Sequence, residues 1–217
     1  MTHETMHAPI RRRVTHHLIL TAVVTLLALF TLAACGGDDS STEDIRTSSN
    51  GEKFSDADVA FAGDMIQHHA QALAMVDMTL GRDLDPEVAA LAEEIRAAQT
   101  PEIEQMSDWL QSWGEPVPAT SRDHANSEGG GQGMDLGDMP GMMAEDEMSE
   151  LEGASDAEFE AMWLEMMIAH HQGAVEMAKR EQSDGTFEPA VDLAAHIESS
   201  QTEEIEAMQQ LLDRLGR

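Results

Sequence analysis

Met65, His68, His69 and Met75 return as Met167, His170, His171 and Met177, every residue displaced by the 102 positions that separate Met65 from Met167. Thioether sulfur and neutral imidazole nitrogen form a soft-to-borderline donor set. Without a thiolate they suit Cu(I), or silver as its mimic, and imidazole with a nearby carboxylate also holds Cu(II). Zinc fits less well, because methionine contributes little to it. Asp64 stands one turn before His68 and is placed to ligate an oxidised ion or orient the ring, but its counterpart is Met166. Met139, Met142 and Met143 are additional candidates, in a polar run that also carries Met134, Met148 and His124.

On a helix turning about 100° per residue, with Met65 as zero, His69 falls at about +40°, Ala72 at about −20°, Phe61 at about −40°, His68 at about −60° and Met75 at about −80°. Both histidines therefore flank one buried stripe, and adjacent histidines diverge, so one of each pair faces a second site or the acidic surface. Any single methionine here is explained by core packing, and a lone histidine by a hydrogen bond. Four neutral imidazoles buried without partners would cost a few kcal/mol each, which coordination would offset. Sites that rely on imidazole are expected to weaken below about pH 6.5, whereas thioether does not titrate.

Long helices must carry these residues, since apolar positions recur at three and four and no stretch alternates for long. Ser55 with Asp58 and Ser155 with Glu158 read as capping boxes, and Asp85-Pro86-Glu87 as an N-cap followed by proline at the first helical position. Gly81, Gly114 and Gly185 stand where helices would stop. The spacing predicts helices near 56–80, 86–112, 156–183 and 188–214. The doubling runs past the motif: Phe61 aligns with Trp163, Leu91 with Leu193, Ile95 with Ile197, Gln99-Thr100 with Gln201-Thr202, and Met106 with Met208. The repeated unit is a helical hairpin, and two of them predict an all-α, four-helix bundle with approximate twofold symmetry. The first hairpin spans 55–113, a Met-, Gly- and acid-rich linker 114–154, and the second hairpin 155–217. The symmetry would set the first and third long helices face to face and combine the half-sites.

Residues 1–34 read as a targeting segment, with Arg11, Arg12 and Arg13 before the apolar run Leu18 to Leu32. Leu32-Ala33-Ala34-Cys35 looks like a lipoprotein processing site, with Cys35 as the lipidated residue and 35–54 as a flexible tether. One mature domain, 35–217, would then sit outside the cytoplasm on a lipid anchor. The formal net charge of −30 repels phosphate backbones and argues against nucleic acid as a partner.

The pattern F-x-x-x-M-I-x-H-H-x-x-A-x-x-M from Phe61, the stretch Met139-Pro140-Gly141-Met142-Met143, and W-L-E-M-M-I-A-H-H-Q-G-A-V-E-M-A from Trp163 together resemble the domain of unknown function 305 family, over about Phe54 to Leu212. The resemblance implies a ferritin-like bundle and, because the family includes extracytoplasmic copper-binding proteins, a copper ion as cargo with no organic cofactor. Sequestration or delivery, with a copper-handling protein as partner, would follow. Two other classes stand beside it: a metal-free helical interaction module and a ferritin-like di-iron oxidase. The second is disfavoured because Glu-x-x-His does not occur: Met65, Ile66, Ser121, Met167, Ile168 and Leu193 precede the mature histidines by three. No nucleophile, phosphate loop or acid–base pair appears at a suggestive spacing, so the sequence points away from an enzyme. Oligomeric state is not encoded in these patterns.

Overall fold

The computed structural model describes residues 45–120 and 139–216. The leader 1–34, Cys35, His124 and Met134 lie outside the described residues. Among the described residues no helix is long and apolar enough to cross a membrane.

The described residues begin with a two-stranded antiparallel hairpin, β1 (Arg46–Thr47) and β2 (Lys53–Phe54), with Arg46 opposite Phe54. Five helices follow among the described residues: α1 (Asp56–Asp77), α2 (Pro86–Trp113), α3 (Glu145–Gly153), α4 (Asp156–Asp184) and α5 (Glu188–Arg214). The four long ones form the bundle, with α1 on α2, α4 on α5, and α1 against α4 as the main seam between hairpins. Their starts follow the local chemistry. Ser55 Oγ accepts from the Asp58 amide while the Asp58 carboxylate accepts from the Ser55 amide at 2.5 Å, a closed capping box. Asp85 accepts from the Glu87 amide at 2.8 Å, with Pro86 at the first helical position.

Three local expectations change. Residues 45–54, part of the expected tether, are a hairpin, because Phe54 stacks on Trp113 with centroids 4.7 Å apart and Arg46 pairs with Asp56 at 2.7 Å. The end of the linker is a separate short helix, α3, anchored by the fully buried Leu151. At the start of α4 the Ser155 hydroxyl donates to the Glu158 carboxylate at 2.6 Å and caps no amide, so the expected box is replaced by a side chain–side chain bond.

The core is two apolar clusters, and the 102-residue shift maps the centre of one onto the centre of the other. The first joins Phe61, Met65, Met106, Met177, Leu193 and Ile197. The second joins Trp163, Met167, Met208, Met75, Leu91 and Ile95. Each mixes the start of one motif helix with the end of the other, so α1 and α4 run antiparallel. Each fully buried large side chain contributes about 1.5–3 kcal/mol, and the duplication supplies that twice. Asp58 closes the first end: its carboxylate accepts from the Thr186 and Phe187 amides at 3.0 and 2.9 Å, tying the α4–α5 turn to the start of α1. Burial raises the Asp58 pKa, but hydrogen bonds from Glu181, Phe187 and Ser55 outweigh that and hold it below the usual value.

Candidate metal centre at the bundle waist

Between the two apolar clusters lies a polar waist. His68, His69, His170 and His171 are all buried there. His68 and His170, equivalent under the repeat, meet across the α1–α4 seam with ring centroids 3.8 Å apart and planes 41° apart. His69 and His171 turn instead into their own hairpins. His69 Nε2 lies 2.7 Å from Glu102 Oε2 on α2, and His171 Nε2 lies 2.8 Å from Glu204 Oε2 on α5. The expected divergence of adjacent histidines is real, but its second direction is the interior of each hairpin and not the acidic surface.

These partners determine the tautomers. A carboxylate or a carbonyl can only accept, so the nitrogen facing it carries the proton. His69 and His171 donate from Nε2 to Glu102 and Glu204, and His68 donates from Nε2 to the Pro140 carbonyl at 3.0 Å. His68 is kept neutral by burial, so its Nδ1 is a lone pair, and the Nδ1 atoms of all three are buried and without a hydrogen-bond partner in the protein. Neither nitrogen of His170 makes a hydrogen bond of good geometry. An imidazole clamped by oxygen at one nitrogen and free at the other is the usual disposition of a metal-ligating histidine. Burial pushes His68 down to about 3, with the neighbouring His69 adding to the shift and the Pro140 carbonyl opposing it. Burial, then His68, His171 and His69, hold His170 well below its ordinary value. Both stay neutral at any ordinary pH.

Met139–Met143 forms a strap across the seam, with every residue half-buried. Gln71 grips one end twice, its Nε2 donating to the Met143 carbonyl at 2.9 Å and its Oε1 accepting from the Met143 amide at 2.7 Å. On the other helix, the residue equivalent to Gln71 is Gly173, where a Cβ would run into the Pro140 carbonyl. Gly141 answers it from the strap: at φ +76°, its own Cβ would lie 2.6 Å from the Ala169 carbonyl oxygen and 2.9 Å from that of His170. One repeat position thus serves the strap twice, as a hydrogen-bonding side chain on α1 and as an absent one on α4.

The expected thioethers divide between the lobes. Met65 and Met177 share the first cluster, Met75 and Met167 the second. Met65 and Met167 therefore lie in different lobes. Met166 is half-buried against the second cluster. Asp64 is half-buried on the wall of a cavity of about 560 Å³ beside the strap, with Met139 and Met177; burial raises its pKa and Arg180 opposes the rise. Among the described residues no three His, Asp or Glu side chains come together as a ready cage. The waist thus holds a tilted imidazole pair and two Glu-clamped imidazoles, with the methionines in the apolar clusters to either side.

Sequence reasoning does not reach Glu102 and Glu204, and it marks Gln99 and Gln201 only as repeat positions, although both glutamines are buried with unpartnered amide atoms. The signal was present. Glu102 and Glu204 repeat at the same 102-residue shift and stand three residues after Gln99 and Gln201 on the buried face of α2 and α5. Met106 and Met208 repeat likewise and are fully buried, one in each lobe.

A duplicated helical hairpin closed over buried imidazoles defines a four-helix-bundle protein with a histidine-lined waist. The chain belongs to the family described as domain of unknown function (DUF305), whose model matches residues 58–212. A DUF305 protein from Streptomyces coelicolor, described as secreted, is similar in structure at 33% identity and TM-score 0.63, over 74% of this chain and 92% of that one. A DUF305 fragment from Deinococcus radiodurans is also 33% identical, with TM-score 0.60, over 73% of this chain and 96% of that one. CopM in its Cu(II)-bound form is 30% identical, with TM-score 0.58, over 72% and 96%. CopM is also known in Cu(I)-bound and Ag-bound forms. Among curated proteins, none matches the chain.

Proposed function

We propose that this protein binds copper outside the cytoplasm, Cu(I) foremost, with silver as its mimic and Cu(II) as the harder alternative, and that copper is its cargo for sequestration or delivery. The observation that carries this reading is His68, whose Nε2–H is held by Pro140 while Nδ1 is a buried lone pair with no partner, set against the neutral His170 and beside His69 and His171, whose Nε2 is held by Glu102 and Glu204 and whose buried Nδ1 has no partner. Leaving such acceptors unsatisfied costs about 1–3 kcal/mol each, and a soft cation satisfies them without bringing a proton. The repeated thioethers on either side favour Cu(I) over zinc. The similarity to CopM, solved with copper and with silver, supports the same ion. The protein is not an enzyme on this reading: copper is held and passed on. The partner is a copper-handling protein, and lipid on Cys35 holds the domain at the membrane.

The second reading is a metal-free helical module, favoured by the lack of a ready cage of three His, Asp or Glu among the described residues. Metal analysis and Cu(I) competition titration of the purified protein separate the two. Copper binding that is lost on replacing His68 and His170 with Gln supports the first. A wild-type protein that neither retains nor takes up copper establishes the second.

A further inference from the structure

The two halves of the molecule keep the waist and differ beside it. The cavity next to the strap is walled by Ala57, Ala60 and Asp64 of α1, Met177 and Asp184 of α4, and Met139 of the strap. Shifted by the same 102 residues, Ala57, Ala60 and Asp64 become Phe159, Met162 and Met166, and Asp184 becomes Arg82. On that second side the space is filled. Phe159 is fully buried, Met162 and Met166 pack against the same cluster, and the Arg82 guanidinium lies 3.9 Å over the Phe159 ring. The duplication has therefore been broken at the wall positions, small and acidic on one side and bulky and apolar on the other, while His, Gln and Glu of the waist are retained on both.

We propose that this one-sided cavity is the intake site for a soft monovalent cation, Cu(I) or Ag(I), on its way to the waist. The proposal rests on the copper reading above. Three observations join in it. Carboxylates from two helices, Asp64 and Asp184, line the cavity, and Arg180, the one cationic side chain in its wall, pairs with Glu176 at 3.6 Å. Two thioethers, Met139 and Met177, line it as well, which favours a soft ion over calcium or magnesium. The cavity also adjoins both destinations. Met177 belongs to the core cluster that holds Met65, and Pro140 forms part of the cavity wall while its carbonyl accepts from His68. The strap peptide is thus the partition between the cavity and the imidazole pair. On the second side Phe159 and its neighbours deny an equivalent approach, so uptake passes through one door.

The test transplants the second half's wall into the first, Ala57→Phe with Ala60→Met, and measures by stopped flow the transfer of Cu(I) from a chromophoric chelator to the purified protein. Uptake at least tenfold slower than wild type, with equilibrium affinity within about threefold and melting unchanged, is the expected result. Asp64→Asn, which removes charge without filling space, serves if the double variant folds poorly: it is expected to slow uptake several-fold and flatten the dependence of the rate on ionic strength. Uptake by both variants at the wild-type rate overturns the intake site and leaves copper binding standing. A wild-type protein that takes up no copper overturns the copper reading and the intake site with it.

Discussion

His68 and His170, 102 positions apart in the chain, meet tilted at a centroid distance of 3.8 Å, with Nδ1 of both buried and without a hydrogen-bond partner. That contact is made at the centre of the pseudo-twofold, where each half of the duplication brings the same residue. The rings stand close because both are neutral; two imidazolium ions at this separation in a buried site would repel strongly.

Acid is expected to unfold the metal-free protein before it strips copper from the folded one. In the unfolded chain a histidine takes up a proton near pH 6.5, whereas folded His68 does so only at about 3. Between those values the unfolded state binds more protons, so the contribution of His68 to stability is complete above about 6.5 and is lost as pH falls toward 3. Urea denaturation at stepped pH is expected to show this decline, and His68→Gln to remove part of its slope. At the His68–His170 pair, Cu(I) affinity of the folded protein is expected to stay level over the mildly acidic range, because both rings are held neutral there. Burial is the reason: there is no proton on Nδ1 to displace.

Met65→Leu with Met167→Leu sets packing against ligation. Leucine matches methionine in volume and helix propensity, so each change costs less than about 1.5 kcal/mol of metal-free stability. The two residues lie in separate clusters, so their small costs are expected to add. Copper affinity and copper-induced stabilisation fall if the sulfurs ligate. Intact copper binding with a sharp loss of stability would make the motif a packing signature.

Glu102→Leu and Glu204→Leu remove the acceptors that hold the Nε2–H of His69 and His171. Loss of such an outer partner is expected to weaken metal binding by about 10- to 100-fold. Glu102→Gln and Glu204→Gln, whose amide oxygen can still accept, are expected to restore part of it in the same titration. Equal affinity in all four proteins would remove His69 and His171 from the site.

Gly173→Ala places a methyl group against the Pro140 carbonyl and so lifts the strap from α4. Faster proteolysis after Met139 and faster exchange of the Met143 amide are expected, with the four long helices retained by circular dichroism. An unchanged Met143 exchange rate would show that the strap tolerates the methyl group.

Cys35→Ser is expected to abolish lipidation and release an otherwise folded domain from the membrane fraction. Unchanged mass and membrane retention would overturn the anchor.

How much of this was legible in the chain depends on range. Periodicity, capping residues and the 102-residue repeat are local or self-referential signals, and from them the sequence by itself determined four long helices, two hairpins, a bundle and the four histidines on its buried stripes. Which faces meet is a long-range matter. Only the tertiary structure decided that Met65 packs with Met177 and not with Met167, because antiparallel crossing of α1 and α4 exchanges the ends of the motif while its centre stays on the axis. It decided likewise that Glu102 and Glu204 clamp His69 and His171, since an acidic residue on a helix looks solvated until the opposing helix is in place. The strap and the one-sided cavity come last of all. They depend on a segment without periodicity crossing a symmetric seam, where a glycine on one helix and a glutamine on the other receive it by steric fit and hydrogen bonding, neither of which any local pattern of residues encodes.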